Sequence, residues 1–151
     1  PAGGARCPAT SETVKSRDME KGNSRTLHQL YMDGLDVFNF TLKVVPSSIK
    51  EALSKSNNNN ETIDYFLFHQ ANKFMIDFFR KKLKIAENKV PISLDKFGNV
   101  SSATIPLTIV TRLKDKIENK KLLLSGFGAG LSWATAILDT SLCKVSKLKE
   151  I

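Results

Sequence analysis

The segment Phe68-His-Gln-Ala-Asn72 places a histidine and an amide three residues apart, directly after the short apolar run Ile63–Phe68. Such a run, rich in aromatics, predicts a buried strand. Helical spacing of Ala71, Met75, Phe78 and Phe79 predicts an amphipathic helix from His69 to about Leu83. A histidine that ends a strand and opens a helix sits where ligand sites collect in α/β folds. The positive end of the helix dipole disfavours imidazolium, so a neutral ring is expected. That ring donates one hydrogen bond to a carbonyl oxygen and accepts another. Asn72 is expected on the same helical face. Position alone also permits a capping or core histidine.

A second amide, Asn99, lies in Phe97-Gly-Asn-Val-Ser-Ser102. It would present a donor beside a helix starting near Ser102, and with His69 it forms a pair suited to one developing oxyanion. On spacing alone a plain turn with an N-cap explains it better. Gly126-Phe-Gly-Ala-Gly130 lacks the sixth-position glycine and the following helix of a dinucleotide loop. Glycines between two strands instead allow close approach of backbone to a ligand. Trp133 is expected in that hairpin, as core. Lys73, Arg80, Lys81, Lys82, Lys84 and Lys89 form a basic face, either solvated or suited to an acidic partner. No nucleophile is evident: Cys7 precedes Pro8 in a loop, and Cys143 lies near the polar end of the chain. The two cysteines form neither a disulfide framework nor a metal-ligand spacing, which points to a reducing compartment.

The elements that must position these residues follow from the pattern. Residues 1–30 read as a long loop. Apolar spacing from Met32 to about Lys55 predicts helix, broken in two at Pro46. Val90–Asn99 reads as irregular or extended, turning at Gly98. Ser101 to about Asn119 reads as a further helix, regular no earlier than residue 103 because of Pro106. Lys121–Ser125 and Leu131–Leu138 read as two closing strands joined by Gly126, Gly128 and Gly130. The fold class is therefore α/β, ending in a strand pair. With 151 residues the chain fits one domain, and no apolar run reaches the roughly 18 residues of a membrane span. The net charge of +8 sits almost wholly in residues 64–151, with 15 basic and 8 acidic side chains. A basic half of this kind suits an acidic partner.

Together Phe68-His-Gln-Ala-Asn72, Phe97-Gly-Asn-Val-Ser-Ser-Ala-Thr-Ile-Pro106 and Ser125-Gly-Phe-Gly-Ala-Gly-Leu-Ser-Trp133 resemble the C-terminal half of β-ketoacyl-acyl-carrier-protein synthase III in order and spacing. Pro1-Ala-Gly-Gly-Ala-Arg6 and Met32-Asp-Gly-Leu-Asp-Val-Phe38 agree with it, so the likeness spans nearly the whole of residues 1–151. It implies a thiolase-like half-domain: a mixed sheet packed with helices and closing with a C-terminal strand pair. It also implies a decarboxylative Claisen condensation of an acyl thioester with malonyl-acyl-carrier-protein. By the same likeness His69 and Asn99 are catalytic, hydrogen-bonding the malonyl thioester carbonyl. Asn72, Phe127 and Gly128 contribute to substrate binding, and Lys73, Lys81 and Lys82 to carrier docking.

In that family the nucleophilic cysteine belongs to an N-terminal half. The chain alone is thus expected to be an inactive fragment, lacking the first strand of its own half-domain and leaving an open sheet edge. Phe74 departs from the family, which often carries arginine there. The implied substrates are coenzyme A and acyl-carrier-protein thioesters, with no bound cofactor and no metal. The implied partners are an acidic acyl carrier protein, the missing N-terminal half and a second copy in a homodimer. Neither nucleic acid nor membrane is implied, and the setting is cytoplasmic. The alternatives are a related Cys-His-Asn acyltransferase using another nucleophile, or a basic binding module without catalysis.

Overall fold

The computed structural model describes residues 2–19 and 22–149; Pro1, which opens the Pro1–Arg6 segment, lies outside them. The chain divides into two compact units, residues 1–34 and 35–151. The first unit is more than the predicted loop. It holds a two-stranded antiparallel ladder of β1 (Arg17–Asp18) and β2 (Ser24–Arg25). Buried Thr13 has its hydroxyl 2.9 Å from His28 Nε2, and the Arg25 guanidinium lies over the Tyr31 ring. Polar contacts of this kind leave no apolar period to read in the sequence.

The second unit begins within α1 (Gly34–Lys55), a single helix that runs through Pro46. The expected break does not occur. Val45, Pro46, Ile49 and Leu53 are all buried along one stripe, so the apolar burial on both sides of the proline outweighs its penalty of about 3 kcal/mol. After the Asn57–Asn60 turn comes β3 (Tyr65–Phe68), shorter than the apolar run that announced it. Then follow α2 (Lys73–Lys82), the short α3 (Leu94–Phe97) and α4 (Thr104–Thr108). β4 (Lys121–Gly128) and β5 (Ser132–Asp139) close the chain.

The sheet order is β3-β4-β5. β3 pairs parallel with β4, Phe66 opposite Leu123, across a crossover that contains α2, α3 and α4. β5 returns antiparallel, with Phe127 opposite Trp133. The period-2 alternation sends Phe66, Phe68, Leu123 and Phe127 into one core with α1 and α2. Leu67 and Leu122 face a second core with Leu113 and Ile117. Burial on both faces explains why β3 reads as a continuous apolar run.

Four expectations need correction here. Val90–Asn99 contains the helix α3, stopped by Gly98 at φ +64°, a conformation that favours glycine. The predicted helix from Ser101 is helical but irregular: 3-10 at Ser101–Ala103, α in α4, wider π turns at Ile109–Leu113, then 3-10 at Lys114–Lys116. Thr108 and Thr111 hydroxyls donate to the carbonyls four residues back, and the segment is dense in β-branched residues, both of which disturb regular helix. Gly126 and Gly128 belong to β4 rather than to the hairpin turn. Trp133 is half-exposed on β5, edge-on to Phe40 of α1 at 5.2 Å between ring centroids. Among the described residues no helix is long and apolar enough to cross a membrane.

The turn before β3 is held from the side by one lysine. Lys89 Nζ donates to the carbonyls of Asn60 and Ile63, both at 2.7 Å, and of Glu61 at 3.2 Å. The basic-face lysine at position 89 is therefore a structural tie. Replacing it, Lys89→Met, should lower stability by roughly 1–3 kcal/mol, the range for a charged donor lost from a half-buried site, as read by urea denaturation.

Candidate active site

β3 ends one residue before His69. The ladder continues to that residue, whose N–H donates to Ser125 O at 2.9 Å. The backbone then turns, and α2 begins only at Lys73. His69 therefore does not open the helix. Asn72 is the N-cap, its Oδ1 accepting from the Met75 N–H at 2.9 Å, and it does not share a helical face with His69. The helix is capped by Asn72 and not by the histidine.

The half-buried imidazole is fixed from two sides. Its ring meets Phe127 edge-on, 5.3 Å between centroids, and Phe127 in turn meets buried Phe79 at 5.5 Å. Its Nδ1 lies 2.7 Å from the Thr104 hydroxyl. Burial pushes the His69 pKa below the ordinary histidine value. The neutral ring expected from the sequence is thus favoured, with desolvation rather than the helix dipole as the cause. Among the described residues Nε2 has no hydrogen-bond partner, so it is the ring atom available to a ligand.

Asn99 follows the glycine turn. Its Oδ1 accepts from the Ser101 N–H at 3.0 Å, which steadies Ser101 at φ +54°. With the acceptor used locally, exposed Asn99 has its Nδ2 donor left to offer. His69 and Asn99 meet through one turn: Thr104 touches both the His69 ring and Ser101 O, and Ser101 is held by Asn99. Gly128 sits near the end of β4, one residue from Phe127, so backbone rather than a side chain lines that position.

Two polar residues without a role in the sequence reading complete the arrangement. Gln70 is fully buried; its Nε2 donates to Phe68 O at 3.0 Å and its Oε1 accepts from the Ser93 N–H at 3.1 Å. Thr104 is 1% exposed. The available signal was a set of small hydroxyls (Ser93, Thr104, Thr108) in otherwise apolar segments, which must pair with something when buried.

The lysines lie apart from this centre. Lys73, Lys81 and Lys82 are all exposed on α2, and Lys73 pairs with Asp77 at 2.5 Å. Among the described residues Lys81 and Lys82 form no ion pair. Phe74 is 64% exposed beside Phe38. Cys143 is exposed after β5, its Sγ 3.9 Å from Asp139 O, and Cys7 belongs to the first unit.

Known proteins resemble this chain in sequence and in fold. Residues 53–140 match the family described as 3-oxoacyl-[acyl-carrier-protein (ACP)] synthase III C terminal. The chain is 38% identical over 143 residues to the β-ketoacyl-[acyl-carrier-protein] synthase III of Caldanaerobacter subterraneus subsp. tengcongensis, covering 93% of this chain and 40% of that protein. It is 40% identical over 134 residues to the Clostridium acetobutylicum protein of the same name, covering 87% and 40%. A crystal structure of a 3-oxoacyl-(acyl-carrier-protein) synthase III superposes with a TM-score of 0.79 at 37% identity, covering 91% of this chain and 42% of that one. The Thermus thermophilus enzyme gives 0.70 at 37% identity, covering 80% and 38%. The chain thus spans about 40% of the length of these relatives. Its mixed sheet is of the thiolase-like kind. By sequence and by fold, the chain belongs to the C-terminal domain family of the 3-oxoacyl-[acyl-carrier-protein] synthases III.

Proposed function

We propose that this domain serves the condensation half-reaction of an acyltransferase that joins an acyl thioester to malonyl-acyl-carrier-protein. The observation that carries this reading is a half-buried histidine, its neutral form favoured by desolvation and its Nε2 left for a ligand, coupled through one turn to an asparagine with only a donor to offer. The asparagine amide can only donate, and the imidazole joins it as a donor when its proton sits on Nε2. Both suit an oxyanion.

In the proposed step the malonyl carboxylate leaves as carbon dioxide. The electrons of the broken C–C bond move onto the thioester, generating an enolate. The His69 and Asn99 donors stabilise its oxygen. The enolate carbon then attacks the acyl carbonyl held on a cysteine, forming the new C–C bond and releasing the cysteine thiolate. That cysteine is proposed to come from outside residues 1–151; Cys143 is exposed after β5. On this reading the 151 residues alone do not turn over. Phe127 orients the imidazole, Gly128 admits the substrate backbone, and Asn72 acts through the start of α2. The substrates are coenzyme A and acyl-carrier-protein thioesters, with no bound cofactor or metal. Docking of the acidic carrier falls to Lys81 and Lys82, with Lys73 sharing its charge with Asp77. A cytoplasmic homodimer completes the proposal and rests on family likeness alone.

In the full-length protein, His69→Ala should abolish malonyl decarboxylation, by about 10²-fold or more, while leaving acylation of the cysteine nearly unchanged. Radiolabelled acyl transfer and carbon dioxide release separate the two; loss of acylation alone would contradict the assignment. Because burial lowers the His69 pKa, the neutral ring persists to lower pH than in an ordinary histidine. The midpoint at which decarboxylation declines with falling pH should therefore lie below the ordinary histidine value, whereas a rate that falls with an ordinary histidine pKa counts against a desolvated neutral donor. Charge reversal at Lys81 and Lys82 should raise the KM for the carrier substrate several-fold, more at low salt than at high, with kcat little changed. A KM that is unchanged and independent of salt would reduce this face to solvated surface.

A further inference from the structure

The Thr104 hydroxyl has one proton and two acceptors within reach: His69 Nδ1 at 2.7 Å and Ser101 O at 3.0 Å. Which one receives it decides where the imidazole keeps its own proton. If the hydroxyl serves Ser101 O, then Nδ1 must be the protonated nitrogen and Nε2 a bare acceptor. If it serves Nδ1, the ring proton sits on Nε2 and points to the ligand side.

Two observations select the second arrangement. Ser101 O already accepts the backbone N–H of Thr104, so the hydroxyl is not needed there. The 2.7 Å separation matches a hydroxyl donor, whereas N–H donors centre near 2.9–3.0 Å; 3.0 Å is at the long limit for a hydroxyl donor. The neighbouring hydroxyls leave no competitor. Thr108 Oγ1 donates to Thr104 O at 2.8 Å and accepts from Ser93 Oγ at 2.6 Å, so each proton of the set has one destination. Thr104 itself is 1% exposed, which keeps water from replacing it.

We infer that Thr104 is a positioning residue: its hydroxyl donates to His69 Nδ1 and so holds the ring in the Nε2–H tautomer that can donate to a thioester oxygen. The tautomer assignment stands on the geometry alone, and its consequence for catalysis rests on the donor role proposed for His69. A tautomer held this way survives in the resting protein, so no proton has to move before substrate binds.

The test uses the full-length protein labelled with ¹⁵N-histidine, the His69 signals being identified by their loss in His69→Gln. The wild type should show a protonated Nε2 and an unprotonated Nδ1. Thr104→Val keeps the shape and removes the hydroxyl. It should move the ring toward the other tautomer and slow malonyl decarboxylation roughly tenfold, with acylation of the cysteine unchanged. Thr104→Ser should restore both. A wild-type ring protonated at Nδ1, or a tautomer unmoved in Thr104→Val, overturns the inference. The wild-type measurement decides it even if the valine variant fails to fold. A shifted tautomer with an unaltered decarboxylation rate leaves the hydrogen bond as assigned and sinks the donor role of His69 instead.

Discussion

One buried chain of hydrogen bonds connects the sheet to the candidate site. It runs from Phe68 O to Gln70, from Gln70 to the Ser93 N–H, from Ser93 to Thr108, and from Thr108 through Thr104 to His69. Gln70, Ser93, Thr104 and Thr108 are each no more than 2% exposed. In a low-dielectric interior an unmet donor costs about 1–3 kcal/mol, so the chain is stable only if every member is paired at once. That condition admits one relative placement of the β3 end, the turn before α3, and α4. The orientation of the imidazole is set by the same condition, and Phe127 then fixes its remaining freedom.

This constraint also accounts for the irregular helix after Ser101. A threonine hydroxyl turned to solvent leaves a helix regular, whereas one bonded back to the preceding turn tends to bend it. Thr104 and Thr108 instead face inward to complete the chain, and Thr108 bonds back to the carbonyl four residues earlier. Pro106 removes one further backbone donor in the same turn. The wide turns at Ile109–Leu113 still bring Leu113 into the second core, so the apolar contacts of the segment survive its change of pitch.

Much of the architecture was legible because it is written in apolar periodicity. The apolar runs Ile63–Phe68 and Lys121–Ser125, and the spacing of Met75 and Phe79, predict the strands and the amphipathic helix that form, with β4 running three residues further. His69 and Asn99 stood out as polar residues at strand and helix boundaries. What the pattern could not carry was pairing. Nothing local distinguishes Asn72 as a cap from Asn72 as a ligand group; only the start of α2 four residues later than expected does. The continuity of α1 through Pro46 depends on a core assembled from residues far away in sequence. Thr104 and Gln70 were silent for the same reason, since their meaning lies in partners 35 and 23 residues distant.

The separation of charge from chemistry follows from the same physics. The partly buried centre is built from neutral groups, and burial favours the neutral form of its one titratable ring. A lysine placed there would face the desolvation that depresses the imidazolium. Lys81 and Lys82 lie on the solvent side of α2, where water and salt screen them. α2 serves both ends at once: its inward stripe of Met75, Ile76 and Phe79 supports Phe127 beneath His69, and its outward stripe holds the charge in water. A change that turned this helix about its axis would therefore disturb the imidazole and the basic face together, even though no lysine touches the histidine.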